Sequence, residues 1–195
     1  MGHAGRQAAA RGGDKRGRLL EAAKALIYRQ GFSQTTLADI AQESGVPLGN
    51  VYYYFKTKDD IAGAVIEDYK QLMLEGLQQL EAGQDDPLER LKAFIRRTVS
   101  HKEEVADRGC PVGSLCQELN KDGAKALAGK MDEILGVQIK WVGAQFKAAG
   151  HKDAHDRAVQ LVSTLQGISL VGNAMKSPAM ITRQAALLCD WVAAG

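Results

Sequence analysis

Residues Thr36 to Lys58 read TLADIAQESGVPLGNVYYYFKTK, and the organisation of the whole chain follows from them. Leu37, Ile40 and Ala41 recur at helical spacing, so Thr36 to Glu43 reads as one short amphipathic helix. Thr36 stands at its N-cap, with Asp39 three residues on, where a capping box places its acid. Ser44-Gly45 stops that helix, because glycine accepts the left-handed backbone of a tight turn. A second helix, Leu48 to Tyr54, is entered through Pro47, whose missing N–H costs nothing in a first turn. Helix, short glycine-containing turn, helix is the helix-turn-helix pattern, in which the second helix enters the DNA major groove.

The aromatic run fixes which side faces in. Val51, Tyr54 and Phe55 have the spacing of a packing face, which leaves Tyr52 and Tyr53 on the outer side, where a phenol can donate to a phosphate oxygen. Lys58 opens the next helix, where a cation and free N–H groups suit a phosphate backbone. Thr57 and Asp60 repeat the capping-box spacing. One tyrosine alone would read as ordinary packing; the constellation reads as a nucleic-acid interface.

Working outward, Lys15 to Gln30 forms a preceding helix with Leu19, Leu20, Ala23, Leu26 and Ile27 as its buried stripe, ended by Gly31. Met1 to Gly13 is rich in Gly, Ala and Arg and reads as a mobile tail. Its Arg6 and Arg11 suit a groove-seeking arm or a plain overhang. Downstream, Lys58 to about Glu81 carries Ile61, Val65, Ile66, Tyr69, Leu72, Met73, Leu77 and Leu80 at helical spacing. At 1.5 Å per residue it spans roughly 36 Å, enough to tie a DNA-binding head to a distant body. Asp86-Pro87-Leu88-Glu89 starts another helix, which holds Leu91, Phe94, Ile95, Thr98 and Val99 and ends before Gly109. Gly123 to Ala149, Asp153 to about Lys176, and Ser177-Pro178 to the C-terminus complete the helical pattern, with Asp153 and Asp156 spaced as a cap. The last two helices are apolar on more than one face and should pack against both their own body and a second subunit.

The chain has 195 residues, 45% hydrophobic and 25% charged, with a net charge of +2. These are ordinary values for a globular chain. Up to Asp60, nine basic residues outweigh six acidic ones, so the positive excess lies in the head. No apolar run approaches the roughly 20 residues a membrane span needs. The N-terminus has no secretory h-region, and three cysteines make no paired framework, which points to a reducing bacterial cytoplasm. No phosphate-binding glycine loop and no metal-ligand spacing is found, so neither a cofactor nor a metal is expected.

Gly31-Phe32, Thr35-Thr36, Ile40-Ala41, Gly45-Val46, Asn50 to Phe55 and Lys56 to Asp59 together resemble the tetracycline-repressor (TetR) family of transcriptional regulators. The resemblance covers about the first sixty residues; Pro47-Leu48 departs from it, where many members carry a small hydroxyl residue. It implies an all-α protein with an N-terminal three-helix helix-turn-helix DNA-binding domain and a C-terminal helical ligand-binding and dimerisation domain. The boundaries are a tail over 1–13, the DNA-binding domain over 14–57 and the effector-binding and dimerisation domain over 58–195. The implied partners are a palindromic double-stranded DNA operator, a small-molecule effector, and a second copy docked through the last two helices, with no membrane. Leu48, Gly49, Asn50 and Tyr53 are the candidates for base contacts, and Thr36, Tyr52 and Lys58 for phosphates. Phe94, Thr98, Leu115, Leu119, Trp141, Gln145 and Gln166 are candidate effector residues, chosen by helical face.

Cys110 precedes Pro111 and so sits at a helix start, where exposed amides favour a thiolate. Related repressors with a similar Gly-Cys segment include ones that respond to electrophiles. Two readings of Cys110 stand: a sensor of reactive or oxidising molecules, or a small hydrophobe in the wall of a reversible ligand pocket. A cysteine-dependent enzyme using His101, His151 or His155 as base lacks any local signature.

Overall fold

The computed structural model describes residues 14–121 and 125–194. The proposed arm with Arg6 and Arg11, and the helix start at Gly123, lie outside the described residues. Those residues form an all-α fold. The first three helices are α1 (Lys15–Gln30), α2 (Leu37–Ser44) and α3 (Leu48–Tyr54). The long α4 (Lys58–Gly83) follows, then α5 (Pro87–Thr98), α6 (Lys102–Arg108) and α7 (Pro111–Lys121). The last three are α8 (Lys125–Ala148), α9 (Ala154–Ala174) and α10 (Pro178–Ala193).

Local chemistry sets most of the boundaries. Thr36 and Thr57 both make full capping boxes, each side chain accepting from the backbone N–H three residues on and each N-cap N–H donating to Asp39 or Asp60. Gly45 ends α2 in the left-handed region at φ 64°. Asp86 accepts from the N–H groups of Leu88 and Glu89, and Pro87 begins α5. Asp153 departs from the sequence reading: it makes no side-chain cap, and its carboxylate instead accepts from Arg157 Nε at 3.0 and 3.1 Å. The single helix expected from Pro87 to Gly109 is broken at Val99–His101. There Ser100 Oγ donates to the Arg97 carbonyl at 2.7 Å, a local bond that competes with the helical ladder.

Two apolar clusters hold these helices. The first gathers Leu19, Leu26, Ile40, Val51, Phe55, Ile61 and Val65 from α1–α4 and continues into Leu115 and Leu119 of α7 and Met131 and Ile134 of α8. The second joins Leu77 of α4 to Leu91 and Phe94 of α5, Val105 of α6, Phe146 of α8, Leu161 and Leu165 of α9, and Ile181 and Val192 of α10. α4 contributes to both. Leu72, expected inside, is 48% exposed, because it lies between the clusters where α4 borders a cavity.

α9 and α10 approach closely at Gly172, where a Cβ would come 2.3 Å from Cγ1 of the buried Ile181. Gly172→Ala should therefore destabilise the fold by about 1–3 kcal/mol through overpacking, against the roughly 1 kcal/mol that alanine ordinarily gains over glycine in a helix. The urea midpoint is the check, and a rise would refute the close packing. Hydrogen bonds from Thr36 and Thr57 hold the Asp39 and Asp60 carboxyls below the usual carboxylate range. A depressed folded pKa gives stability that is present above the unfolded value, about 3.9, and is lost as pH falls through the folded value. Stability should thus fall less steeply between about pH 5 and about pH 3 in an Asp39→Asn/Asp60→Asn double variant than in wild type; parallel curves would contradict this.

Candidate nucleic-acid interface and effector cavity

α3 is a seven-residue helix pinned from one side. Val51 and Phe55 are buried, and the Arg16 guanidinium lies 5.5 Å from the Phe55 ring centroid. The opposite side is open: Leu48 is 41%, Tyr52 47% and Tyr53 77% exposed. Nothing stands within 4 Å of where a Cβ on Gly49 would be, so this edge admits a close neighbour. Asn50 is half-buried beside it, and Tyr53 packs edge-on to Tyr54 with ring centroids 5.0 Å apart. Leu48, Gly49, Asn50, Tyr52 and Tyr53 are thus gathered on one short helix whose width suits a major groove.

Thr36 and Lys58 are placed differently. The Thr36 hydroxyl donates to Asp39 Oδ2 at 2.7 Å and accepts from Asp39 N, so the capping box already engages it. Lys58 Nζ donates to the carbonyls of Phe32 and Ser33 at 2.8 and 3.1 Å and lies 4.3 Å from the Phe32 ring centroid. This ammonium fastens the start of α4 to the α1–α2 turn, which positions α2 and α3 on the head.

A cavity of about 520 Å³ lies between the two apolar clusters. Phe94, Thr98, Cys110 and Gln166 line it; four other candidates do not. Leu115 and Leu119 point the other way, into the core shared with the head. Trp141 packs on Phe94 from outside, with centroids 5.7 Å apart, and its Nε1 donates to Glu81 at 2.8 Å. Gln145 is buried and accepts from Arg90 Nη1 at 3.3 Å. Sequence reading missed Tyr28, Tyr69, Met73, Arg97, His101 and Gln138, all of which line the cavity. Tyr28 borders the apolar stripe of α1, but helical spacing alone does not tell that α6 and α7 fold over that edge.

Burial pushes the Tyr28 and Tyr69 phenols up to about 12, so both stay neutral donors at ordinary pH. Tyr28 Oη already has acceptors, the carbonyls of Gly109 at 2.8 Å and Glu104 at 3.2 Å. Cys110 Sγ accepts from Gly113 N at 3.5 Å, as a side-chain cap on the start of α7. The three cysteines are free thiols, and burial pushes those of Cys116 and Cys189 up, which disfavours their thiolates. An apolar wall of Leu77, Phe94, Val105 and Leu165 with a few convergent polar groups suits an organic molecule of drug size.

The family model described as bacterial regulatory proteins, tetR family, matches residues 19–65, which span most of α1, the helix-turn-helix and the start of α4. An HTH-type transcriptional regulator in the lacX 3′ region of Lactococcus lactis subsp. lactis is 33% identical over 139 residues, covering 63% of this chain and 71% of that one. The HTH-type transcriptional regulators YxaF and LmrA of Bacillus subtilis are each 32% identical over 108 residues; the match covers 54% of this chain and 56% and 57% of theirs. Among solved structures, the regulatory protein TetR from Rhodobacter sphaeroides superimposes with a TM-score of 0.76 at 24% identity, over 90% of this chain and 97% of that one. SCO4454, a TetR-family regulator of Streptomyces coelicolor, gives a TM-score of 0.81 at 19% identity, over 91% and 93%. The helix-turn-helix geometry and these likenesses agree: the chain belongs to the tetR family of bacterial regulatory proteins, the helix-turn-helix transcriptional regulators.

Proposed function

We propose that the protein is a homodimeric repressor of the bacterial cytoplasm that binds a palindromic operator and is released by a small-molecule effector. In this division residues 14–57 read DNA, while 58–195 take the effector and pair the subunits. The outward face of α3 carries the reading, because a helix with Val51 and Phe55 buried and Leu48, Tyr52 and Tyr53 exposed has no use for those side chains within its own fold. Asn50 is assigned to a base edge, Tyr53 and Leu48 to groove contacts, and Tyr52 to a phosphate. Thr36 and Lys58 act by holding α2 and α3 in place. Pairing is assigned to α9 and α10, where Leu170, Val171, Met175 and Leu187 are exposed. A two-fold pair of such heads calls for half-sites about one helical turn, roughly 34 Å, apart or a little more.

The effector is assigned to the cavity between the clusters. Cys110, at a helix start in its wall, favours a reactive electrophile or oxidant over a purely reversible ligand. An effector shifts the protein only if it binds the DNA-incompatible arrangement better than the DNA-compatible one.

Selection from random-sequence DNA should enrich a palindrome, and anisotropy should show Asn50→Ala costing about 1–3 kcal/mol on it; failure to enrich any site would refute the repressor reading. N-ethylmaleimide should release wild type from that DNA and leave Cys110→Ser bound. Equal response of both proteins would remove the thiol from the mechanism and leave the reversible pocket. Leu170→Glu should halve the mass seen by sedimentation equilibrium, whereas an unchanged dimer would place pairing elsewhere.

A further inference from the structure

We propose that the cavity takes amphipathic organic anions, with Arg97 binding the anionic group and the apolar body of the ligand running from it toward Cys110. The inference rests on the effector-responsive reading above and names the chemical class of the effector.

The cation in this wall has no anion of its own. Arg97 lines the cavity, and a guanidinium stays charged at any ordinary pH. Among the described residues its side chain makes one hydrogen bond, Nη1 donating to the neutral Gln79 Oε1 at 3.1 Å, and no carboxylate stands within ion-pair distance. With five N–H donors, most of its capacity is left for water or a ligand. Its seat is a glycine. A Cβ on Gly76 would come 2.6 Å from Arg97 Nη2, 2.7 Å from Cζ and 2.9 Å from Nε. Three such similar distances lay the plane of the group flat on α4 and leave its N–H edges clear of that helix. Glycine is disfavoured inside a helix, and at position 76 it admits a cation against the cavity wall.

Two further groups share this end. Ser100 and His101 are exposed and line the same cavity, and the His101 imidazole makes no hydrogen bond among the described residues. Arg97 is exposed as well, so an anion held here lies at the rim and keeps part of its hydration. The other end differs in sign. Tyr28, Tyr69 and Cys110 lie close enough to act on one another electrostatically, and the Glu104 carboxylate acts on Tyr28 beside them. On α4, Tyr69 and Gly76 are seven residues apart, roughly 10 Å. Glu104 repels an anion from that end, whereas Arg97 attracts one to its own. Between them Leu77, Phe94 and Leu165 offer buried apolar surface. A molecule with one anionic group and an apolar body of about 10 Å therefore has a single favoured orientation, in which its far end meets the Cys110 thiol.

The test uses two fluorescent probes that share one ring system, the anionic 8-anilinonaphthalene-1-sulfonate and the neutral N-phenyl-1-naphthylamine. Each is titrated onto the full-length protein without DNA, and every variant is checked by circular dichroism. Arg97→Met should weaken the sulfonate probe by about tenfold and leave the neutral probe within about twofold. Arg96→Met makes the same change of charge on a residue that does not line this cavity, and it should leave both probes unaltered. Gly76→Ala keeps the charge but pushes the guanidinium off its seat, so it should weaken the sulfonate probe alone. Arg97 is exposed and alanine favours a helix over glycine, so both variants should keep the fold. No binding of the sulfonate, equal loss of both probes in Arg97→Met, or the same loss in Arg96→Met would each overturn the assignment. Because no DNA is present, the anion site is decided whether or not the protein selects an operator. An operator released by N-ethylmaleimide, with no binding of the sulfonate, keeps the effector reading and loses this one.

Discussion

One unbroken helix has to satisfy two cores. The first half of α4 buries Ile61, Ala62, Val65 and Ile66 against α1–α3, while Leu77 lies in the cluster formed with α5, α6 and α9. Its 26 residues extend for about 39 Å, so neither cluster can slide along it without unburying side chains. At about 25 cal/mol per Å² of apolar area, losing even one such side chain outweighs any surface ion pair on the helix. Head and body are thus fixed in distance but less so in rotation. Beside the rod, Leu115 and Leu119 of α7 pack into the cluster of the head, and the Tyr28 phenol bonds the carbonyls of Glu104 and Gly109.

The cavity occupies the place where the two clusters fail to meet. Side chains there serve neither core fully, so polar groups such as Gln138, Ser169 and Gln166 are tolerated beside Phe94 and Leu165. Buried polar groups demand partners, and Ser169 finds one in the Leu165 carbonyl at 3.0 Å, while Gln138 reaches Met73 Sδ at 3.6 Å. Sulfur is a weak acceptor, and a ligand oxygen at that position would serve the Gln138 amide better. A space of this kind costs the fold some packing, which a molecule filling it would restore.

The sequence was most legible where the physics is local. Thr36 with Asp39, Thr57 with Asp60, and Asp86 ahead of Pro87 each act within three residues, and the helix starts they mark are found there. The same spacing misled at Asp153, because an acid near a helix start can also pair with an arginine four residues on, and Arg157 supplies that partner. The α5–α6 break was hidden because Val99 and Ser100 interrupt neither composition nor apolar spacing. Inward and outward positions on α3 followed from period alone, since Val51 and Phe55 cannot both face water. Cavity lining was the least legible feature. Leu115 and Leu119 occupy an apolar face no different in pattern from that of Phe94, and only the tertiary arrangement decides which face meets the head and which the cavity.

Tyr28 shows why such residues escape sequence reading. A tyrosine at the edge of an apolar stripe is, by pattern, a packing residue with a wet hydroxyl. Its acceptors, Glu104 and Gly109, lie 76 and 81 residues away and are backbone carbonyls, which no residue type announces. Lys58 makes the same point: a cation beside a DNA-reading unit suggests phosphate, yet its ammonium caps the carbonyls of Phe32 and Ser33. In both cases a side chain with an evident external use is spent on the backbone of another element. Such bonds are directional, and a carbonyl can turn toward only a limited range of donors. They define orientation where apolar packing alone would permit rotation.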